Sequence, residues 1–191
     1  MASLITPIGI MSFPTLFTPR PVVQGGDPRY GLNLIIDLAG QKTPNFAAMR
    51  KAVAQCIDEK WGDGKSRDKA FVARLRNPFL SCTTQDYEGY EDPEAVFIRP
   101  WSKNRPGVVD AYRNEITVPG DVWAGQAVRC SVNVFAYEQS GNRGVNFGLN
   151  NVQICRTDGK RLDGRRPAKQ EFDDYDDGTA QKVLEDEDIP F

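Results

Sequence analysis

Residues 128–137 read VRCSVNVFAY, and residues 145–154 read VNFGLNNVQI. Successive side chains of a β-strand point to opposite faces, so alternation between apolar and polar residues predicts a strand with one buried face. In the first run Val128, Cys130, Val132, Val134 and Ala136 point one way, and Arg129, Ser131, Asn133, Phe135 and Tyr137 point the other. The second run alternates in the same way until Asn150 and Asn151, where a switch of parity predicts a bulge. A hairpin loop over residues 139–144 is expected to join the two strands.

Two more strands and a helix are predicted toward the N-terminus. Apolar residues alternate from Tyr30 to Ile36, and the apolar stretch from Ile8 to Phe17 is the predicted partner strand, joined through a Pro- and Gly-rich loop. A helix should begin at Thr43 with Pro44 in its first turn and end at Gly62. The predicted buried stripe of this helix is Phe46, Met49, Val53, Cys56 and Ile57.

The stretch from Glu94 to Trp101 adds another strand, with Val96 and Ile98 on one face. About five strands in a meander, with one inserted helix and long loops, favour a mainly β fold, an oligonucleotide-binding (OB)-like five-stranded barrel. A β-sandwich is the alternative. We expect this domain to occupy residues 1–170, followed by a disordered acidic tail over residues 171–191.

Composition limits the chemistry open to the chain. Histidine is absent, which excludes histidine-based general bases, histidine metal ligands and Ser-His or Cys-His nucleophiles. The four cysteines, at positions 56, 82, 130 and 155, match neither the spacing of a zinc site nor a dense disulfide framework. No run approaches the roughly 18 apolar residues of a membrane span. We therefore expect reduced thiols, no metal or other cofactor, no membrane contact and no enzymatic activity.

Opposite charges are segregated along the chain. Residues 171–191 contain nine acidic residues and one lysine, a net charge of −8. Residues 1–170 contain 23 lysines and arginines and 17 acidic residues, a net charge of +6. The segregation predicts a basic folded domain that attracts anions and a tail too acidic and too poor in apolar side chains to fold.

The extreme C-terminus breaks the polar pattern of the tail. Glu187 and Asp188 end an acidic run, and Ile189, Pro190 and Phe191 follow it. This arrangement predicts a short linear motif, in which the acids steer toward a basic surface and the terminal phenylalanine and its carboxylate enter a pocket of another protein. The alternative is a tail that serves only solubility.

Aromatic and basic side chains interleave on strand faces opposite the predicted core. Aromatic rings stack on unpaired bases without reading sequence, at about 1 to 3 kcal/mol per base, and neighbouring cations neutralise phosphates. The predicted DNA-binding residues are Arg99, Trp101, Lys103, Arg105, Tyr112, Arg113, Arg129, Phe135 and Tyr137, with a second cluster at Arg74 and Arg76. Phe97 shares this face, and a secondary core is the alternative place for Phe97 and Phe135. A basic run over 160–169 is either a solvated linker or a further contact to DNA or the tail.

Several stretches resemble known proteins. The tip, residues 187–191, resembles the Asp-Ile-Pro-Phe tip of bacterial single-stranded DNA-binding proteins. Residues 30–36, 124–129, 134–137 and 144–153 resemble a family of tailed-phage single-stranded DNA-binding proteins, and the likeness extends along nearly the whole chain.

The resemblance implies an OB barrel that coats single-stranded DNA during phage replication or recombination, in the cytoplasm of an infected bacterial host. It implies a tail that engages phage or host replication and repair proteins. An acidic tail should also compete with DNA for the basic groove when DNA is absent. We expect a monomer or a weak dimer.

Two other functions fit parts of the sequence. A phage nuclease would use carboxylates with magnesium, and the candidates are Asp86, Glu88, Glu91 and Asp92. A virion or adaptor protein would carry the acidic tail for solubility alone. Cleavage of labelled single-stranded DNA tests the first alternative, and an oligo-dT titration tests the second.

Overall fold

The computed structural model describes residues 3–21, 24–139 and 141–164, and these residues form a mainly β protein with few helices. Within them, nine strands belong to one sheet. The strands are β1 (Leu4–Ile5), β2 (Gly9–Pro21), β3 (Pro28–Ile36), β4 (Leu80–Ser81), β5 (Val96–Ile98), β6 (Trp101–Ser102), β7 (Gly107–Val109), β8 (Ala127–Gln139) and β9 (Asn142–Arg156). The α-helices are α1 (Leu38–Gln41), α2 (Pro44–Trp61) and α3 (Lys69–Val72).

Five of these strands close into a ring. Their order is β2, β3, β6, β9 and β8, and β8 pairs again with β2. The β6–β9 pair is parallel, and the other four neighbouring pairs of the ring are antiparallel. The predicted mainly β, five-stranded barrel architecture is confirmed. The β-sandwich alternative is wrong because the strands form one sheet closed on itself rather than two stacked sheets.

The hairpin of β8 and β9 follows the predicted alternation. The side chains of both strands that were expected in the core are buried or half-buried. Ser131 pairs with Asn151 and Val132 pairs with Leu149, so Asn150 is the extra residue of a bulge at the predicted place. The loop is shorter than predicted, because the ladder continues to the pair of Gln139 and Asn142.

Helix α2 closes one side of the core. The Thr43 hydroxyl accepts a hydrogen bond from the Phe46 amide at 3.3 Å, which caps the first turn. All five residues of the predicted stripe are buried in the same cluster as the strand residues of the ring. The structure adds two one-turn helices, α1 and α3, to the single helix that the sequence predicted.

A smaller second core lies on the outer face of β3 and β5. Phe97 is fully buried there with Ile35, Cys82, Tyr90 and Ala95. The Asn33 amide donates to the Tyr90 hydroxyl at 2.7 Å, which holds residues 80–95 against the strands. Phe97 therefore does not belong to the predicted DNA-binding face. The alternative prediction, that Phe97 lies in a secondary core, is confirmed.

The four cysteines are free thiols, and three of them are buried. Burial raises the pKa of Cys82 to about 11, which makes this thiol unreactive near neutral pH. None of the helices in the described residues is long and apolar enough to cross a bilayer. The predicted boundary at residue 170 and the predicted tail, residues 171–191, lie outside the described residues.

Candidate nucleic-acid interface

Trp101 lies at the centre of the candidate interface. It pairs with Gly31 on β3 and with Gly148 on β9. A Cβ atom on Gly31 would come within 2.9 Å of the Pro100 carbonyl oxygen and 3.3 Å of the Trp101 Cβ, so this position accepts only glycine without a shift. The residues on both sides of Trp101 in the sheet are therefore glycines, which add no side chain of their own beside the indole.

A cation and a second ring accompany the indole. The Arg29 guanidinium carbon lies 3.8 Å from the centre of the Trp101 ring. The Phe135 ring meets the indole edge-on, at 5.7 Å between centroids and an interplanar angle of 88°. All three side chains are half-buried. We call them the Trp101 platform. Such a cation–π contact contributes about 0.5 to 2 kcal/mol and holds the guanidinium flat against the ring.

The predicted cations Arg99, Lys103 and Arg105 lie on the chain just before and just after β6. The Arg105 guanidinium lies 4.9 Å from the centre of the Phe17 ring. Lys103 forms an ion pair with Asp27 at 3.5 Å, and both side chains are about 70% exposed, so the pair contributes little stability and leaves Lys103 able to bind an anion. Arg99 is exposed, donates to the Gln85 side chain at 3.4 Å and lies 5.0 Å from the centre of the Phe97 ring, beside the second core.

Tyr137 and Arg76 meet at the tip of the β8–β9 hairpin. A Cβ atom on Gly144 would lie 2.7 Å from the Tyr137 hydroxyl and 2.8 Å from the Arg76 Cβ. The Arg76 amide donates to the Arg143 carbonyl at 2.9 Å, and its guanidinium donates to the Asn142 side chain at 2.8 Å. Arg74, two residues earlier, is exposed. The predicted basic cluster therefore extends the face that carries Phe135 beyond the Trp101 platform.

The remaining predicted residues form a separate group. The Arg129 Nε donates to the Gln153 side chain at 2.8 Å, and Gln153 donates to the carbonyl of Ala111 at 3.2 Å. This places Tyr112 and Arg113, which follow Ala111, close to Arg129. Arg129 lies six residues before Phe135 on the same face of β8, about 20 Å away for an extended strand.

The loop of this second group is well defined. Asp110 accepts hydrogen bonds from the Asn114 side chain and amide and from the Tyr112 amide, each at 2.8 Å. The hydrogen bonds from Asn114 are the largest cause that lowers the pKa of Asp110, so its carboxylate stays charged and keeps the turn closed at neutral pH. Tyr112 is 84% exposed, the largest exposure among the large hydrophobic side chains described.

The strand face between the two groups is uncharged and rich in amides. Asn133 on β8 lies opposite Gly148, and Asn146 on β9 lies opposite Phe135. Amide groups donate and accept hydrogen bonds and do not repel phosphates. The predicted residues of β8 therefore share one face, with cations at both ends and no acidic side chain at the outward positions between Arg129 and Tyr137.

Three of the four acidic residues proposed for a nuclease, Glu88, Glu91 and Asp92, have other partners. Glu88 pairs with Lys160 at 2.5 Å. Both Glu91 carboxylate oxygens accept from the Gly89 amide at 3.0 Å, and Asp92 accepts from the Glu94 amide at 2.9 Å. Among residues 3–21, 24–139 and 141–164, no group of three or more Asp, Glu, His or Cys side chains is placed to hold a metal ion.

Sequence reasoning missed Arg29, Arg20 and Phe17. Arg20 and Arg29 pair across the β2–β3 hairpin, and each lies next to prolines that favoured a loop in the sequence. Their places depend on the register of the hairpin and on the position of β6 beside β3, which no local pattern encodes. Of the predicted basic run, Lys160 and Arg161 form ion pairs with Glu88 and Asp163, and the rest lies outside the described residues.

Comparisons with known proteins find similarity to phage single-stranded DNA-binding proteins. No curated protein matches the chain. The single-stranded DNA-binding protein of bacteriophage Enc34, solved in complex with single-stranded DNA, shares the fold with a TM-score of 0.61 and 18% identity over 83% of this chain and 88% of that chain. A second structure of the same phage protein has a TM-score of 0.59 and 18% identity over 88% of this chain and 89% of that chain.

A third solved structure is gp2.5, a single-stranded DNA-binding protein encoded by bacteriophage T7. Its TM-score is 0.55 at 13% identity, over 87% of this chain and 98% of that chain. The family described as "Enterobacter phage Enc34, ssDNA-binding protein" matches residues 3–184, which is nearly the whole sequence. The chain therefore belongs to the family of the Enterobacter phage Enc34 single-stranded DNA-binding protein.

Proposed function

We propose that the chain binds single-stranded DNA without sequence preference, along the face that carries the Trp101 platform. The observation that carries the proposal is the Arg29 guanidinium at 3.8 Å from an indole that lies between two glycines. Every base has a flat π-face that stacks on an aromatic ring, whatever the sequence. The neighbouring Lys103, Arg105 and Arg99 supply positive charge for the phosphates.

The ring of five strands supports an OB-type barrel as the scaffold of this function. Barrels of this type bind oligonucleotides on an exposed strand face and on the loops beside it. Here the candidate residues lie on the outer faces of β3, β6, β8 and β9, and on loops next to them. The buried core holds these strands rigidly, so the rings are positioned before DNA arrives.

The biological part of the proposal rests on membership in a phage family. The chain coats single-stranded DNA during phage DNA replication, recombination or repair, in the cytoplasm of the infected bacterium. It acts by binding alone, as a monomer or weak dimer. Its acidic tail recruits phage or host replication and repair proteins through Glu187 to Phe191 and competes with DNA for the basic face, because its charge of −8 mimics that of a nucleic acid.

A titration with oligo-dT tests the proposal. The chain contains three tryptophans, and we expect saturable quenching of their fluorescence as the oligonucleotide is added. The logarithm of the binding constant should fall linearly with the logarithm of the salt concentration, with a slope of about −0.7 per phosphate neutralised. Oligo-dA and oligo-dC of equal length should bind with affinities of the same order. An absence of saturable binding at low salt would show that the proposal is wrong.

A separate incubation with Mg²⁺ tests for enzymatic activity. Labelled single-stranded DNA incubated with the chain and Mg²⁺ should remain intact, because Glu88, Glu91 and Asp92 are held by other partners. Cleavage that is lost in a Glu88→Gln variant would instead favour the nuclease.

A further inference from the structure

A second groove lies beside the Trp101 platform, between β2 and the loops over residues 119–124 and 161–163. Its volume is about 520 Å³, within the usual range of about 300 to 1,000 Å³ for small-ligand sites. Aromatic side chains line it together with two arginines. These residues are Phe13, Tyr87, Trp123, Arg20 and Arg161.

A bulge in β2 turns the Phe13 ring outward. Ser12 pairs with Asn33 and Thr15 pairs with Gly31, so β2 has one residue more than β3 in this interval. Phe13 has a φ of 47°, in the left-handed region that side chains other than glycine rarely adopt. Its ring is 51% exposed and meets the 57% exposed ring of Tyr87 at 5.1 Å. The backbone is therefore strained in a way that presents an aromatic pair to solvent rather than to the core.

Trp123 supplies a hydrogen-bond donor without an acceptor. Its Nε1 is buried and has no hydrogen-bond partner among the described residues. The Arg161 guanidinium lies 4.9 Å from the centre of the Trp123 ring and pairs with Asp163 at 2.7 Å. Buried donors in folded proteins nearly always have partners, so an acceptor atom that reaches the Trp123 Nε1 from the groove would remove the cost of an unpaired donor. Nucleobases carry such acceptors on their edges.

The groove is continuous with the Trp101 platform through two arginines. Arg20 and Arg29 are directly opposite each other on β2 and β3. Like charges in this relation repel, and Arg20 has no ion-pair partner within residues 3–21, 24–139 and 141–164. Arg29 lies over Trp101, whereas Arg20 lines the groove. An anion between the two guanidinium groups would remove the repulsion.

The acidic side chains of the groove already have cationic partners. Glu88 pairs with Lys160, and Asp163 pairs with Arg161. The charge that these four residues present to a ligand is therefore balanced, and Arg20 adds the positive charge that an anionic ligand requires.

We propose that this groove binds a nucleotide of the same DNA strand that crosses the Trp101 platform. A phosphate lies between Arg20 and Arg29, the base packs on Phe13 and Tyr87, and an acceptor atom of the base receives the Trp123 Nε1 hydrogen bond. The inference rests on the proposed function, since it extends the path of that strand. The interface then consists of two aromatic surfaces, the Trp101 platform and the groove, which are joined by the cations Arg20 and Arg29.

Oligo-dT binding by the full chain tests this inference, with the double variant Phe13→Ala/Tyr87→Ala as the main comparison. A series of oligonucleotides from about 4 to about 16 nucleotides long covers the range of site sizes of one OB barrel. We expect the double variant to bind the longest oligonucleotide about 5- to 100-fold more weakly than the parent chain and to bind the shortest one equally. Arg20→Ala should act in the same direction. Trp123→Phe keeps an aromatic ring but removes the Nε1 hydrogen-bond donor. This variant should bind long oligonucleotides several-fold more weakly than the parent chain.

Leu38→Ala is the matched control, because Leu38 is exposed, lies outside the groove and is not one of the residues of the candidate interface. Equal melting temperatures of all variants would show that the substitutions act on binding rather than on folding. If the parent chain binds and the groove variants match it at every length, the inference is wrong while the proposed function stands. If the parent chain does not bind at all, the proposed function itself is wrong.

A synthetic peptide of residues 185–191 tests the other candidate occupant, the acidic tip of the tail. If the groove variants lose binding of this peptide and keep parental DNA affinity, the groove is a peptide site and the inference is overturned. The inference predicts the reverse result, in which DNA affinity is lost and any peptide affinity is unchanged.

Discussion

The Arg29 guanidinium lies 3.8 Å from the centre of the Trp101 ring and covers one face of the indole. The Phe135 ring is perpendicular to the indole, at 5.7 Å between centroids, so a base would stack on the ring surface that Arg29 and Phe135 leave uncovered. In the proposed function, Arg29 also brings positive charge within reach of the phosphate of that nucleotide. The platform thus combines an aromatic ring of β6 and a positive charge of β3 in a single contact.

Replacing Arg29 separates these two contributions. Arg29→Lys keeps the charge and loses the planar stack, whereas Arg29→Ala loses both. We expect both variants to bind oligo-dT more weakly, and only Arg29→Ala to reduce the steepness of the salt dependence, by about 0.7 in the log–log slope. Titrations at four or more salt concentrations measure the slope. A parental slope for Arg29→Ala would mean that Arg29 contacts no phosphate.

Removing the Trp101 ring should cost the stacking energy of one base. Trp101→Ala should weaken oligo-dT binding by about 1 to 3 kcal/mol, which is a factor of about 5 to 150. Trp61→Phe is the control, because the Trp61 Nε1 donates to Glu138 on the helix side of the barrel. Anisotropy of a labelled oligonucleotide measures both variants without relying on tryptophan emission. Parental affinity in Trp101→Ala would place the indole outside the path of DNA.

Local patterns in the sequence predicted much of the barrel. Strict alternation identified the inward face of β8 and β9, because a strand with one buried face can pair in only one register. The switch of parity predicted the bulge at Asn150. Helix α2 was also predicted, because Thr43 and Pro44 mark its start and Gly62 marks its end. These signals depend only on residues close together in the chain.

Contacts between distant segments were not predicted. Phe97 has the parity of an exposed residue, yet residues 80–95 fold back over it and bury it. Arg29 contacts Trp101 because β6 pairs with β3, a relation between segments some 70 residues apart. Tyr112, Arg113 and Arg129 belong to one predicted set with Trp101, and the structure brings these three together at a distance from the Trp101 platform. Alternation identifies the face of a side chain but not what covers that face.

Phe97 and Phe135 provide a direct test of this distinction. Phe97 is fully buried, so Phe97→Ala should lower the free energy of unfolding by about 3 to 5 kcal/mol. Phe135 is half-buried against Trp101, so Phe135→Ala should cost less stability and more DNA affinity. Urea unfolding and an oligo-dT titration of both variants measure the two effects. A larger loss of DNA affinity in folded Phe97→Ala than in Phe135→Ala would contradict the assignment of the two faces.

The glycines beside Trp101 test whether open space around the indole is required. A methyl group on Gly31 would lie 2.9 Å from the Pro100 backbone oxygen, whereas on Gly148 it would lie 2.7 Å from the Asn133 side-chain oxygen. A side chain can rotate away and a backbone cannot, so Gly31→Ala should lower the melting temperature more than Gly148→Ala. We expect both variants to bind oligo-dT more weakly than the parent. Parental affinity in both would show that a base does not approach the indole from these sides.

Deleting residues 171–191 tests competition between the tail and DNA. The deletion removes nine acids and one lysine and leaves the Trp101 platform unchanged. If the tail occupies the basic face when DNA is absent, the deletion should raise the affinity for oligo-dT and change its salt dependence little, because the phosphate contacts stay the same. A variant with Glu187 and Asp188 changed to Gln and Asn is the matched control for chain length. Equal affinity of the full and shortened chains at low salt, where charge interactions are strongest, would exclude competition and leave recruitment of other proteins or solubility as the role of the tail.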